Sequence, residues 1–130
     1  MSTAAHRYLE ATPMRALLGI PTEVLDQFMA IAFQLYKDGR YPQAEIVCRG
    51  LLAADHRYWY PYSLYAATLQ KMGRFGEAIA QLDQGLRHEP GQPKLLALRE
   101  AIRKSAGRAQ RRTTIAANTA GRALAQQEAA

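Results

Sequence analysis

The chain has 130 residues, 48% of them apolar, with 17 Lys plus Arg against 11 Asp plus Glu and a single cysteine. That is apolar material for one core or a short repeat array, so wholesale disorder and a disulfide-stapled scaffold are both excluded. Three scattered histidines and one cysteine make no zinc cluster. No apolar run approaches the ~18 residues of a membrane helix, and Pro13 and Pro21 interrupt any leader-like pattern. The expectation is a soluble, cytoplasmic protein with no metal and no cofactor.

The formal charge of +6 is unevenly placed. Residues 1–92 hold 9 basic and 9 acidic side chains and sum to zero. Residues 93–130 hold 8 basic and 2 acidic ones, so the whole excess lies there. Such an end is either a solvated tail or a surface for an acidic partner, a nucleic acid or an anionic membrane.

Residues 1–21 read as an N-terminal helical segment. Tyr8, Leu9, Met14, Leu17 and Leu18 are its apolar positions, and Pro13 divides it. It would pack on the helices next in the chain or on a second copy. Thr22 is placed to cap the next helix, with Glu23 adding negative charge in its first turn. Leu25, Phe28, Ile31, Ala32 and Leu35 then follow helical spacing and predict the core face. Gly39 ends this helix, and Tyr41-Pro42 opens another, whose buried face is Ala44, Val47, Cys48, Leu51 and Leu52. Trp59 to Met72 and Phe75 to His88 repeat the plan, and Pro90-Gly91-Gln92-Pro93 breaks the chain again.

The repetition is regular. Lys37-Asp38-Gly39-Arg40-Tyr41 recurs as Lys71-Met72-Gly73-Arg74-Phe75, an offset of 34 residues without a gap. The same offset maps Phe28 to Tyr62, Ala32 to Ala66, Leu35 to Leu69, Ala44 to Ala78 and Leu52 to Leu86. A 34-residue helix–turn–helix with small residues at these positions resembles the tetratricopeptide repeat. The resemblance implies an all-α solenoid: repeats at about 25–58 and 59–92, a capping helix at 93–104, and a basic, Ala-rich tail at 105–130. The third unit starts with Leu95, Leu96, Leu98 and Ile102 but fails at Arg112, where a small residue is due. The tail is expected to be a frayed or partner-dependent helix, since little in it can be buried.

Stacked repeats turn the first helix of each unit toward a concave face. Off the expected core face stand Met29, Phe33, Tyr36 and Lys37 in unit one, and Tyr60, Ser63, Ala67, Gln70 and Lys71 in unit two. Lys94 stands there in the cap. Met29, Phe33 and Tyr36 form an apolar stripe, while Ser63 and Ala67 leave room opposite. The pattern predicts a groove for an extended peptide with spaced apolar side chains. Alternatively, Phe33 and Tyr36 cover the N-terminal helix. Cys48 reads as a core residue. No nucleotide loop, paired-carboxylate motif or serine elbow is present, which argues against an enzyme.

From about Leu18 to Leu86 the chain resembles the class II chaperones of bacterial type III secretion, which escort translocator proteins. The resemblance is carried by Ile31-Ala32-Phe33-Gln34-Leu35-Tyr36, Gly39-Arg40-Tyr41, Ala54-Asp55-His56 and Gln70-Lys71-Met72-Gly73-Arg74-Phe75. It implies a peptide groove in which Phe33, Tyr36 and Tyr41 match groove aromatics. The client would be an aggregation-prone secreted protein anchored by spaced Pro and Leu residues, and the N-terminal helix could support a homodimer. A general repeat adaptor of another bacterial assembly is the alternative. A peptide-carboxylate clamp of the kind that uses groove asparagines is disfavoured, because Asn118 in the tail is the only asparagine.

Overall fold

The computed structural model describes residues 13–129; the expected contributions of Tyr8 and Leu9 lie outside the described residues. Among them, six helices follow one another: α1 (Met14–Leu17), α2 (Thr22–Lys37), α3 (Tyr41–Ala54), α4 (Tyr60–Lys71), α5 (Phe75–His88) and α6 (Pro93–Ala129). Each helix from α2 onward packs on the next. In addition α2 touches α4, and α4 touches α6. That second set of contacts makes the array a solenoid, with α2, α4 and α6 sharing one side.

The turns inside the two repeats are built alike. Gly39 and Gly73 have φ of +77° and +76°, the left-handed region where a Cβ is costly. The Arg40 amide donates to the Leu35 carbonyl at 2.9 Å, and Arg74 to Leu69 at 2.9 Å. These bonds close each first helix and aim the chain into the second. Pro42 and Pro61 sit in first turns, where a missing N–H costs nothing. Thr22 is no cap: it is already helical, follows Pro21, and makes no capping bond.

The core runs through both repeats and into the start of α6. It holds Leu25, Met29, Ala32, Cys48, Leu51, Tyr62, Tyr65, Ala66, Leu69, Ala78, Leu82, Leu95 and Ile102. Ala32, Ala44, Ala66 and Ala78 are fully buried, so the helices meet where a larger side chain would hold them apart. The expected core face of α2 needs correction. Phe28 and Ile31 are about half exposed, at 48% and 49%, while Met29 is buried at 6%. The helices packed on α2 meet it along Leu25, Met29, Ala32 and Tyr36, a stripe rotated from the one that hydrophobicity suggested.

Two polar features lie within this apolar frame. The buried Glu45 carboxylate accepts from Arg74 Nη1 at 2.8 Å, and Arg74 also pairs with Glu77. Asp55, between the units, accepts from Arg15 Nε at 2.8 Å and from the Arg57 amide at 3.1 Å. Arg15 thereby ties α1 to the end of α3.

Cys48 is fully buried, and burial together with the nearby Glu45 pushes its thiol from an ordinary value near 9 up to about 12. In the folded protein the thiol therefore stays protonated and unreactive at pH 8, and iodoacetamide should label it only after denaturant is added. The linkage has a definite sign. The unfolded chain loses this proton first, so the contribution of Cys48 to stability is intact below pH 9 and falls as the pH rises from 9 toward 12.

α6 differs from the expected short cap plus tail. It is one continuous helix through Ala129, with no break near residue 104. Leu95 and Ile102 anchor its first part, and from Arg108 on every residue but the half-buried Ala109 is exposed, through Glu128. Alanine-rich composition sustains a helix there without tertiary support. Thr113, Thr114 and Thr119 donate back to the carbonyls of Ala109, Gln110 and Ile115 at 2.9–3.0 Å.

Candidate functional site

In stacked repeats the first helix of each unit lines the concave side, which makes α2, α4 and α6 the helices to inspect. On α2, Phe33 has 46% of its surface exposed, and Lys37 Nζ lies 5.4 Å from its ring centre. An aromatic this exposed contributes little to the fold and is free for an apolar guest. Tyr36 is half-buried; it packs against the core and edge-on to Tyr41, with ring centres 5.8 Å apart. Most of Tyr36 thus belongs to the packing of the repeat.

α4 supplies the adjoining surface. Ser63 and Ala67 are half-buried. The Ser63 hydroxyl donates to the Tyr60 carbonyl at 2.6 Å, which turns it back onto its own helix. Gln70 bridges to the last helix, its Nε2 donating to Ser105 Oγ at 3.2 Å. At the far end Tyr60 lies edge-on to Trp59 at 5.3 Å and stacks on Tyr58 at 6.5 Å, while Lys94 Nζ reaches 5.9 Å from the Trp59 ring centre. Tyr58 contacts Asp26 across the units at 3.5 Å. Burial and that carboxylate push its hydroxyl above the ordinary range, so it serves as a donor.

Of the residues expected in the groove, Phe33 and Lys37 on α2 and Ser63, Ala67, Gln70 and Lys71 on α4 all keep part of their surface open to solvent. Tyr60 and Lys94 mark one end. Tyr41 supports Tyr36. Met29 is the correction: its side chain is enclosed by the core and offers no surface to a ligand.

Sequence reasoning missed what lies beside these residues. Beyond Gln70 a recess of about 380 Å3 is lined by Lys71, Phe75, Ser105, Arg108, Ala109 and Arg112. The signal was the i, i+4 spacing of Lys104, Arg108 and Arg112, which places three cations along one side of α6.

This geometry has known counterparts. The model of the tetratricopeptide repeat matches residues 35–102, just over half of the chain. The chain belongs to the tetratricopeptide repeat family. No curated protein matches it significantly in sequence. Three solved structures show the repeat array in similar form. The type III secretion translocator chaperone SycD of Yersinia enterocolitica superposes with a TM-score of 0.71 at 24% identity, over 75% of this chain and 72% of that one. A type III secretion complex from Aeromonas hydrophila gives 0.73 at 20% identity, over 82% and 71%. SycD in complex with a peptide of the translocator YopD gives 0.62 at 25% identity, over 68% and 67%. The repeat fold and the likeness to translocator chaperones thus agree with the motifs. Among the described residues no helix is long and apolar enough to cross a membrane, and no cluster of potential ligands could hold a metal.

Proposed function

We propose that this repeat protein is a non-enzymatic, cytoplasmic chaperone that holds an extended segment of a type III secreted, translocator-like protein in its concave groove. The observation that carries the reading is Phe33: a large aromatic left half exposed on the first helix of the first repeat. The solved complex of SycD with a peptide of the translocator YopD supports it, since an array of similar fold there binds a translocator peptide. The mechanism is burial without chemistry. Apolar client side chains lose contact with water against Phe33, the edge of Tyr36 and Ala67. Lys37, Lys71 and Lys94 at the rim set orientation and association rate more than affinity. Affinity capture from the native bacterium tests this. One secreted protein should be held by the wild type and lost from Phe33→Glu; a partner set unchanged by that variant would reject the groove.

Self-association belongs to the same proposal. Phe28 and Ile31 are exposed beside an apolar recess of about 300 Å3 formed by Ile20, Val24, Leu25, Val47, Gly50 and Leu51. Every residue lining this recess belongs to the first repeat or to the turn just before it. If a homodimer forms through the N-terminal end, Phe28→Asp should convert it to a monomer in sedimentation velocity without loss of helicity. A dimer unaffected by that change would place its interface elsewhere.

A further inference from the structure

The proposed groove has a neighbour on α6. Gln70, expected in the groove, bonds Ser105, and both residues also line the recess formed with Lys71, Phe75, Arg108 and Arg112. That recess contains three cations and no carboxylate. A second recess, sharing Arg108, lies on the other flank of the helix and is lined by Arg103, Lys104, Arg111 and one carboxylate, Glu100. None of Lys71, Arg103, Lys104, Arg108, Arg111 or Arg112 is ion-paired with another described residue; the pairs nearby are Arg74 with Glu77 and Glu45, and Arg99 with Asp83. This is concentrated positive charge with no ion-pair partner among the described residues, beside the proposed groove.

We infer that the arginine face of α6 between Lys104 and Arg112, together with Lys71, binds an acidic run of the same client polypeptide whose apolar residues occupy the groove. The inference rests on the groove reading and specifies its ligand: spaced apolar residues followed by a short stretch of Asp or Glu. The chemistry favours carboxylates. Arg108 and Arg112, one turn apart, present two guanidinium forks that a pair of carboxylates can satisfy bidentately. A polypeptide is favoured over a nucleic acid by the layout of charge. Strong phosphate-backbone binding rests on many cations along a track, whereas here the cluster is compact and only Arg122 follows it on the exposed helix. The recess also adjoins Phe75 and Ala109, which suit the stems of Glu side chains rather than a sugar–phosphate backbone.

The test uses the full chain and three labelled probes followed by fluorescence anisotropy. One is a 16-residue peptide with three spaced leucines and then four glutamates. The second has glutamines in place of the glutamates. The third is a short double-stranded DNA. Titrations are run in 50 and 500 mM NaCl with the wild type, Phe33→Glu, and Arg108→Glu/Arg112→Glu, whose exposed side chains keep the fold out of the result. The glutamate peptide should bind at least tenfold more tightly than the glutamine peptide in low salt. High salt and the double variant should both erase that advantage, and the glutamine peptide should be indifferent to the double variant. Equal binding of the two peptides, both lost in Phe33→Glu, would overturn the acidic-run assignment and leave the groove standing. Glutamate-peptide binding that ignores Phe33→Glu would separate the arginine face from the groove and overturn the shared track. DNA binding stronger than that of the glutamate peptide and lost in the double variant would give the face to nucleic acid. No binding of either peptide would reject the groove and the inference together.

Discussion

Phe33→Glu should weaken binding of an apolar client peptide by at least tenfold and leave the far-ultraviolet circular dichroism and the melting temperature nearly unchanged. Phe33 is already about half buried, so covering the rest against a client is worth about 0.7–1.5 kcal/mol, roughly three- to tenfold in affinity. A glutamate in its place also faces desolvation when an apolar guest arrives, which carries the loss to the upper end and past it. The folded state should tolerate the change. Phe33 is 46% exposed, and a glutamate there stands one turn before Lys37, the orientation in which an i, i+4 pair favours a helix. Phe33→Leu, which keeps an apolar surface, should retain most of the binding. Tyr36→Glu is a poorer probe than the spacing suggested. Tyr36 packs on the core and on Tyr41, so its loss would mix unfolding with loss of contact. Isothermal titration with the wild type and the two Phe33 variants decides the matter; equal affinities would remove Phe33 from the groove.

The difference between Tyr36 and Phe33 shows where sequence reading stops. The period, the two positive-φ glycines and the four buried alanines are local or repeated signals, so the solenoid was readable from one chain. The facing of α2 was not. Val24, Leu25, Phe28, Met29, Ile31, Ala32, Phe33, Leu35 and Tyr36 make an apolar arc over more than half the helix circumference. Which part of that arc is enclosed depends on where α3 and α4 lie, and spacing does not contain that information. Met29 was therefore expected in the groove and lies in the core, while Phe28 and Ile31 were expected in the core and are about half exposed. The continuous α6 is a second case. Its alanine content favours helix, but a composition with almost nothing to bury argues for fraying, and intrinsic propensity carries the helix on alone.

Replacing Gly85 by leucine should abolish cooperative folding of the second repeat and its cap, whereas Gly85→Ala should change stability by only about 1 kcal/mol. The repeat itself supplies the contrast. Thirty-four residues earlier the equivalent position is Leu51, which is buried without difficulty. The neighbours explain why the two positions differ. Phe28, which precedes Leu51 as Tyr62 precedes Gly85, turns out to solvent, but Tyr62 turns inward and is only 3% exposed. Its hydroxyl donates to the His56 carbonyl at 2.7 Å, so the ring is held at both ends. A Cβ on residue 85 would lie 3.0 Å from Tyr62 Cγ, 3.1 Å from Tyr62 Cβ and 3.0 Å from Leu95 Cδ1. One methyl group demands shifts of a few tenths of an ångström, a strain largely offset by the gain of about 1 kcal/mol in helix propensity. A leucine demands space that does not exist where α4, α5 and α6 meet, and an overpacking cost of about 3 kcal/mol or more is a large fraction of a small domain's stability. Because α6 is anchored here through Leu95, its first turns should be lost along with α5, taking the recess at Arg108 with them. Chemical denaturation read by circular dichroism measures both variants. The same steric account predicts coupling: Tyr62→Ala should destabilise the wild type but partly rescue Gly85→Leu. Strictly additive effects in that double-mutant cycle would mean that the tyrosine ring is not what excludes a side chain at residue 85.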